Sequence, residues 1–543
     1  MRLIAFLVLA GGLCVATATS AADVPLWGRF EATLTAAADH ESPVQDLTVE
    51  VEFVSPSGNR KPIQKATGFW DGGRTWRVRF SPDEAGRWSW QARCKEDAGL
   101  DGRKGEFNCA AAKGDNPLYV HGPVRVSDNR RHLSHADGTP WFWLSDTAWN
   151  GGLLSTEAEW EKYLADRAGK GFTAVQFVTT QWRTAPADEA GQVAFTGKER
   201  VAINPVFYQR MDKRFDALND HGLVAAPVLA WAVGNELDPG TSLPEDQILA
   251  LVRYQVARYG AHAVVWILAG DGRYDGQRAE KWNRIGRAVF GDHPSHPVTM
   301  HMNGQGWYVS EFRAEPWFGF IGYQSGHGDS DKSLEWLVRG PPATDWKTEP
   351  HHPVINLEPN YEGHRAYQSK QPIAAYMVRR AAWWSVLVSP TAGVTYGGHG
   401  IWSWQKEAGV PRAHPNTGVA LPWHEAIGLP GAADMKRLAS FMAEIQWWRL
   451  LPAPQLLARQ PGEADPKKFV AVAQAEDGSF AVAYLPVGGT VELRTESLKG
   501  AAAARWYDPR DGKWTDAGAA APSVCKFTAP SEDDWVLWIG AKR

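Results

Sequence analysis

From Trp141 to Trp448 the chain repeats one pattern: a short apolar run, a turn, then a stretch with helical spacing. Eight runs stand out: Trp141–Leu144, Thr173–Val178, Val224–Trp231, Ala263–Ala269, Pro297–Met302, Trp317–Tyr323, Pro353–Leu357 and Gly393–Tyr396. Apolar runs of this length, stopped by Gly or Pro, suit strands buried on both faces. Strands that alternate with helices make parallel βαβ units. The helical stretches carry their own punctuation. Thr156 with Glu159 is a capping box. Asn204-Pro205 is a cap residue followed by a first-turn proline. The stretches after Pro244 and Gln277 stop at Gly260 and Gly291, and Ile373 to Val388 stops before Pro390. Eight such units predict a (β/α)8 TIM barrel with long loops over residues 126–450. A doubly wound sheet is the competing fold, but no G-x-G-x-x-G follows an early strand.

The flanks have a different period. Residues 23–125 hold alternating runs, Leu47–Phe53 and Trp76–Phe80, separated by turn signals such as Pro56-Ser57-Gly58-Asn59. This predicts a small immunoglobulin-like β-sandwich. Residues 451–543 hold Phe469–Ala473 and Phe480–Leu485 around the turn Glu476-Asp477-Gly478-Ser479, then Val491–Leu493 and Asp534–Ile539. A second β-sandwich follows, with packing against the barrel as its expected role. Residues 1–22 have a basic start at Arg2, an apolar core from Leu3 to Val15 and a small-residue end at Ser20-Ala21-Ala22. That is an export signal, so the expected location is secreted or periplasmic. Leu13 before Cys14 argues against lipidation. No later apolar run is long enough to span a membrane. In an oxidising compartment a Cys94–Cys109 disulfide and two buried free thiols both remain open. A net charge of -4 gives no field for nucleic acid.

A barrel of this kind keeps its chemistry at the C-terminal ends of its strands. There the first run ends in Asp146 and Trp149, the second leads to Gln181 and Trp182, and the third leads to Glu236. The fourth ends at Asp271, the fifth at His301, the sixth at Tyr323, Gln324 and His327. The seventh ends at Glu358 with Tyr361 close behind, and the eighth leads to His399 and Trp402. Polar and aromatic side chains on sequence-distant strand ends suit a cleft for polyols. Two carboxylates, Asp271 and Glu358, follow runs of the same form. Glycoside cleavage needs one carboxylic acid to protonate the leaving oxygen and a second carboxylate as nucleophile or base. The expectation is Asp271 as acid/base and Glu358 as nucleophile, with retention. Glu236 is the rival acid if the strand count is off by one. The remaining residues are expected to hold sugar rings and hydroxyls. No H-E-x-x-H or close Cys/His cluster occurs, so neither metal nor cofactor is expected. A non-catalytic carbohydrate- or matrix-binding protein on an inactive barrel is the alternative. The sequence leaves oligomeric state open.

Several of these stretches resemble a known family. His132-Leu133-Ser134-His135-Ala136-Asp137-Gly138-Thr139-Pro140-Trp141 through Asp146-Thr147-Ala148-Trp149, then Val265–Asp271, Tyr323–His327 and Glu358–Glu362, are similar to the apiosidase-like barrels, which include glycoside hydrolase family 140. The resemblance implies the aspartate after strand four and the glutamate after strand seven as the catalytic pair, here Asp271 and Glu358. The family motif at strand four reads Gly-Gly-Asp followed by arginine, whereas this chain has Ala269-Gly270-Asp271-Gly272-Arg273. β-Apiosidase activity is one candidate among many. Phe69-Trp70 with Thr75–Pro82 and Gly86–Trp90 looks like the immunoglobulin-like domain that precedes many bacterial glycosidase barrels. Ala504–Trp514 with Asp534–Leu537 resembles the domain labelled collagen-binding that follows them.

Overall fold

The computed structural model describes residues 23–500 and 502–541. The export signal expected at 1–22 lies outside the described residues. Among those residues, no helix is long and apolar enough to cross a membrane.

Eight parallel strands form the central sheet: β1 Trp143–Thr147, β2 Ala174–Val178, β3 Val224–Trp231, β4 Trp266–Gly270, β5 Val298–Thr299, β6 Ile321–Tyr323, β7 Val354–Asn356 and β8 Gly393–Tyr396. Their order is β5-β4-β3-β2-β1-β8-β7-β6, so the sheet is a nearly closed barrel with one seam between β5 and β6. That seam is stitched rather than paired. The Gly319 N–H donates to Val298 O at 2.8 Å. Thr299 Oγ1 accepts from the Gly322 N–H at 3.0 Å and donates to Phe320 O at 2.7 Å.

Helices follow seven of the strands: α1 Glu157–Gly169, α2 Pro205–Asp220, α3 Glu245–Tyr259, α4 Gln277–Phe290, α5 Asp331–Arg339, α6 Ala375–Leu387 and α7 Pro430–Glu444. After β5 there is only the short turn Val309–Glu311. The expected capping box forms, with Thr156 Oγ1 accepting from the Glu159 N–H and Glu159 reaching back to the Thr156 N–H. The first strand differs from its expected range. Pro140–Trp141 pairs antiparallel with Leu133–His135 in a separate small sheet, so β1 starts only at Trp143.

Residues 24–110 fold into two facing sheets, one of five strands and one of three, around Phe30, Phe53, Phe80, Trp88 and Phe107. The C-terminal region has a six-stranded sheet and a two-stranded one. Both flanks are tied to the barrel by buried ion pairs. Arg79 and Arg258 share Asp212, at 2.7 and 2.6 Å, and Arg258 also holds Asp71 at 2.9 Å. Burial opposes the charge of Asp212, but the two guanidiniums overcome this and hold its carboxyl far below the usual range. On the other side Arg379 of α6 grips Asp534 through two nitrogens, at 2.8 and 2.6 Å, and Asp434 of α7 at 2.7 Å. Cys94 and Cys109, left open above, are buried free thiols.

Candidate active site

Asp271 sits one residue past β4, at an irregularity in the ladder. The His301 N–H bonds Ala269 O at 2.9 Å, but the Asn303 N–H bonds Gly272 O at 3.0 Å. Two residues on one strand thus face three on the other, and the extra residue is a bulge that re-aims a side chain. Asp271 has φ 45°, in the left-handed region that few non-glycine residues occupy. Gly270 before it has no room for a side chain, because a Cβ there would lie 2.5 Å from the Trp231 ring. Trp231 therefore packs flush against the strand end and fixes where Asp271 emerges.

Glu358 follows β7 and is held by its neighbours. Its backbone carbonyl accepts from the Gly326 N–H at 3.0 Å. Next to it, Leu357 O accepts from Gln176 Nε2 at 2.8 Å across the barrel interior. His327 Nδ1 accepts from the Tyr361 N–H at 3.3 Å, which leaves the proton on Nε2. That nitrogen donates to Glu358 Oε1 at 3.1 Å. His301 Nε2 lies 3.5 Å from Glu358 Oε2.

The two carboxyls are in different states. Burial pushes Asp271 up, the charge of Glu358 pushes it further, and together they take it to about 7. Burial also opposes the charge of Glu358, but the hydrogen bond from His327 and the imidazoles of His327 and His301 beside it hold it below the usual carboxylate value. The surroundings thus favour the protonated form of Asp271 and the ionised form of Glu358.

The other expected residues divide. Asp146 is a correction. It points away from the cleft, is wholly buried, and bonds Arg167 Nε at 2.5 Å, Tyr163 OH at 2.8 Å and the Thr147 N–H at 2.8 Å. Gln181 spends both ends of its amide on the backbone of Ala194 and Phe195, so it braces a loop. Glu236 is exposed on the loop after β3, which is the third strand, so the rival strand count does not hold. His399 donates to Gly418 O and accepts from Trp402 Nε1 at 3.1 Å, so each occupies the other. Tyr323 is buried behind the wall against Trp307 and Trp336. Tyr361 donates its hydroxyl to Thr147 Oγ1 at 3.2 Å and backs Glu358.

Five remain at the cleft with Asp271 and Glu358, one of them His327, which bonds Glu358. Trp149 and Trp182 pack on Trp231, with ring centroids 5.2 and 4.4 Å away, and Trp149 also meets His301 at 5.3 Å. His301 touches Glu358, and Gln324 follows β6 beside Gly304. Trp231 Nε1, Asn303 Oδ1 and Gln324 Oε1 are buried without a hydrogen-bond partner among the described residues. Buried polar atoms are seldom left so, and atoms at strand ends in this state are ready for hydroxyl groups.

The sequence reading did not single out Arg183, Asp238, Trp231 or Tyr367. Arg183 Nη1 donates to Asp238 Oδ2 at 3.0 Å and its Nη2 lies 3.8 Å from Asp271 Oδ2. Tyr367 is 51% exposed at the rim, its ring 5.5 Å from that of His327. Arg183 directly follows Gln181-Trp182, and adjacency to that pair was the one available signal.

A nearly closed barrel of eight parallel strands, with two carboxyls past the ends of β4 and β7, has the fold of the glycoside hydrolases. Residues 127–449 match the family model described as "Apiosidase-like, catalytic domain", and the chain belongs to that family. Residues 23–95 match a domain of unknown function, and 451–540 match a model named for the collagen-binding domain of a collagenase. No curated protein matches the chain. Among solved structures, one titled "Glycoside hydrolase" is 25% identical, with a TM-score of 0.70 over 79% of this chain and 99% of its own. A glycoside hydrolase family 5 structure from Bacteroides vulgatus is 22% identical, with a TM-score of 0.69 over 79% and 95%. A second structure from that organism, also assigned to the glycoside hydrolases, is 19% identical with a TM-score of 0.69, and covers 95% of this chain and 99% of its own.

Proposed function

We propose that the protein is a secreted glycosidase that cleaves a glycosidic bond in a plant or bacterial polysaccharide with retention, using Asp271 as acid/base and Glu358 as nucleophile. One observation carries this reading. Two carboxyls sit past the ends of β4 and β7, with Glu358 held by the His327 N–H at 3.1 Å, which favours its anion, and Asp271 pushed up to about 7 by burial and by Glu358. Asp271 protonates the leaving oxygen while Glu358 attacks the anomeric carbon. Asp271, now ionised, then takes a proton from the water that releases the sugar from Glu358. Each half-reaction restores what the other used. His327 keeps Glu358 anionic and steady, and His301 lies against its second oxygen. Trp149, Trp182 and Trp231 offer an apolar wall for a sugar face, while Gln324, Asn303 and the Trp231 N–H meet hydroxyls. Tyr367 at the rim offers a ring to the next residue of a longer chain. An apiofuranosyl linkage is one candidate, drawn from the family's name.

The test is a product assay of the mature protein on a panel of plant and bacterial polysaccharides, with Glu358→Gln alongside and the first-formed anomer followed by NMR. Sugar release by the wild type, its loss in the variant, and a retained anomer support the proposal. Release by both proteins defeats the assignment of Glu358. An inverted anomer removes the nucleophile role and leaves Glu358 as base. Saturable glycan binding with no release moves the protein to the binding class.

A further inference from the structure

Asp271 is the only member of the pair with a cation at its side. Arg273, the nearest arginine in sequence, turns to solvent and pairs with Asp275. The cation beside Asp271 comes instead from the loop after β2. Arg183 places Nη2 3.8 Å from Asp271 Oδ2, too long for a hydrogen bond and short enough for a strong charge effect. It is held there on several sides. Asp238 is fully buried and takes Arg183 Nη1 at 3.0 Å and the Arg183 backbone N–H at 3.3 Å. The guanidinium lies over the rings of Trp182 and Trp231, at 5.3 and 5.7 Å. His414 Nε2 meets its other nitrogen at 3.5 Å. A long flexible side chain fixed this way is a fixture of the site.

We infer that Arg183 and Asp238 are a positioning pair that sets how readily Asp271 gives up its proton, Arg183 acting through its charge and Asp238 by holding that charge back. The arrangement is a three-membered row, carboxylate, guanidinium, carboxyl. Asp238 makes the short contact and so draws Arg183 away from Asp271. Were the guanidinium free to close on Asp271, it would bind the ionised form and leave no acid at neutral pH. Were it absent, burial and the charge of Glu358 would keep the proton on Asp271 too firmly for transfer. The other groups that face Asp271 do not supply this balance. Glu358 only raises it. Tyr274 and Tyr367 are phenols whose own hydroxyls are pushed to higher values by burial. His414 touches Arg183, and burial holds its imidazole low and neutral. His301 and His327 act on Glu358.

The inference rests on Asp271 being the proton donor for its use, but not for its measurement. The full-length mature protein carrying carboxyl-labelled aspartate is titrated by 13C NMR, with the Asp271 signal assigned by its loss in Asp271→Asn. Arg183→Gln should raise the Asp271 midpoint by about 1 unit. Asp238→Asn should lower it, because the guanidinium then has only Asp271 to pair with. Arg183→Lys keeps a cation and should return the midpoint toward the wild-type value. A general loss of packing would move both variants the same way, so the opposed signs are the diagnostic. Midpoints that do not move, or that move together, overturn the inference. The upper limb of kcat/KM against pH on the glycoside found by the panel is then compared with the NMR midpoints. A limb that follows them supports both readings. Midpoints that shift as expected under a limb that stays fixed keep the pair and remove Asp271 as the donor.

Discussion

Two aspartates at the mouth of this barrel carry arginine partners, and they do opposite things. Asp146 at the end of β1 meets Arg167 at 2.5 Å, and neither side chain has any exposure. Asp271 past β4 meets Arg183 at 3.8 Å and keeps 22% of its side chain exposed. Around Asp146 every contact is short, and Arg167, Tyr163 and the Thr147 N–H share the load. Around Asp271 the contacts are long and one neighbour, Glu358, repels. A satisfied carboxylate is part of the frame. An unsatisfied one, kept from its arginine by a third residue, can exchange a proton. Both are aspartates at strand ends, and the face each one takes and the partners it meets there separate structure from chemistry.

The largest effect expected lies on the chemical side. Glu358→Gln should cut turnover roughly a thousandfold, measured as kcat on the best substrate of the panel, with the melting midpoint little changed. Asp146→Ala should do the reverse. It leaves Arg167 buried with only Asp166 as its anion and should cost about 3 kcal/mol in denaturant unfolding, while the folded fraction keeps its specific activity. If Asp146→Ala abolishes activity in protein that is still folded, the comparison breaks. An effect of the same order is expected in stability at Asp271. Its native pKa is raised by burial and by Glu358, so the folded chain keeps that proton where the unfolded chain has lost it. Stability therefore falls as pH rises from 3.8 to about 7. Asp271→Asn removes the loss, so its melting midpoint should exceed the wild type's above that range and match it below. Activity has its own pH signature. It should fall above about 7 as Asp271 ionises, and at low pH as Glu358 gains a proton. The smallest effect belongs to Glu236, exposed on the loop after β3. Glu236→Gln should leave activity unchanged and stability within about 0.5 kcal/mol, checked by the same assays.

Much of this is legible in the sequence, and each failure has its own physical cause. The ranges of β3 and β8 match the sequence reading to the residue, because β3 is an unbroken apolar run and β8 a short one broken only by Thr395, each between clear turn signals. The carboxylates after β4 and β7 were read because each ends such a run. Asp146 was misread because a strand end has two faces. Thr147 points into the barrel, where its hydroxyl takes bonds from Gln176 and Tyr361, so its neighbour Asp146 must point out toward α1. Parity along β1 held that answer. Gln181 was misread because a loop amide serves its own loop before any ligand, and no local pattern records that. Arg183 and Asp238 lie on different loops, 55 residues apart, and their pairing exists only once the barrel closes.

The ion pairs that clasp the barrel on both flanks bear on how such a protein is inherited. A barrel passed on without the N-terminal sandwich would carry Arg258 without Asp71, and one without the C-terminal sheet would carry Arg379 without Asp534. Arg258 would keep Asp212 and Arg379 would keep Asp434, but each would lose one of its two anions and the hydrogen bonds made to it. The three parts have separate sheets and separate names, yet a gene rearrangement that shuffled them one at a time would give up these buried ion pairs at each step. They are best regarded as one heritable unit, in which a change to either flank is felt by the helices that carry the cleft.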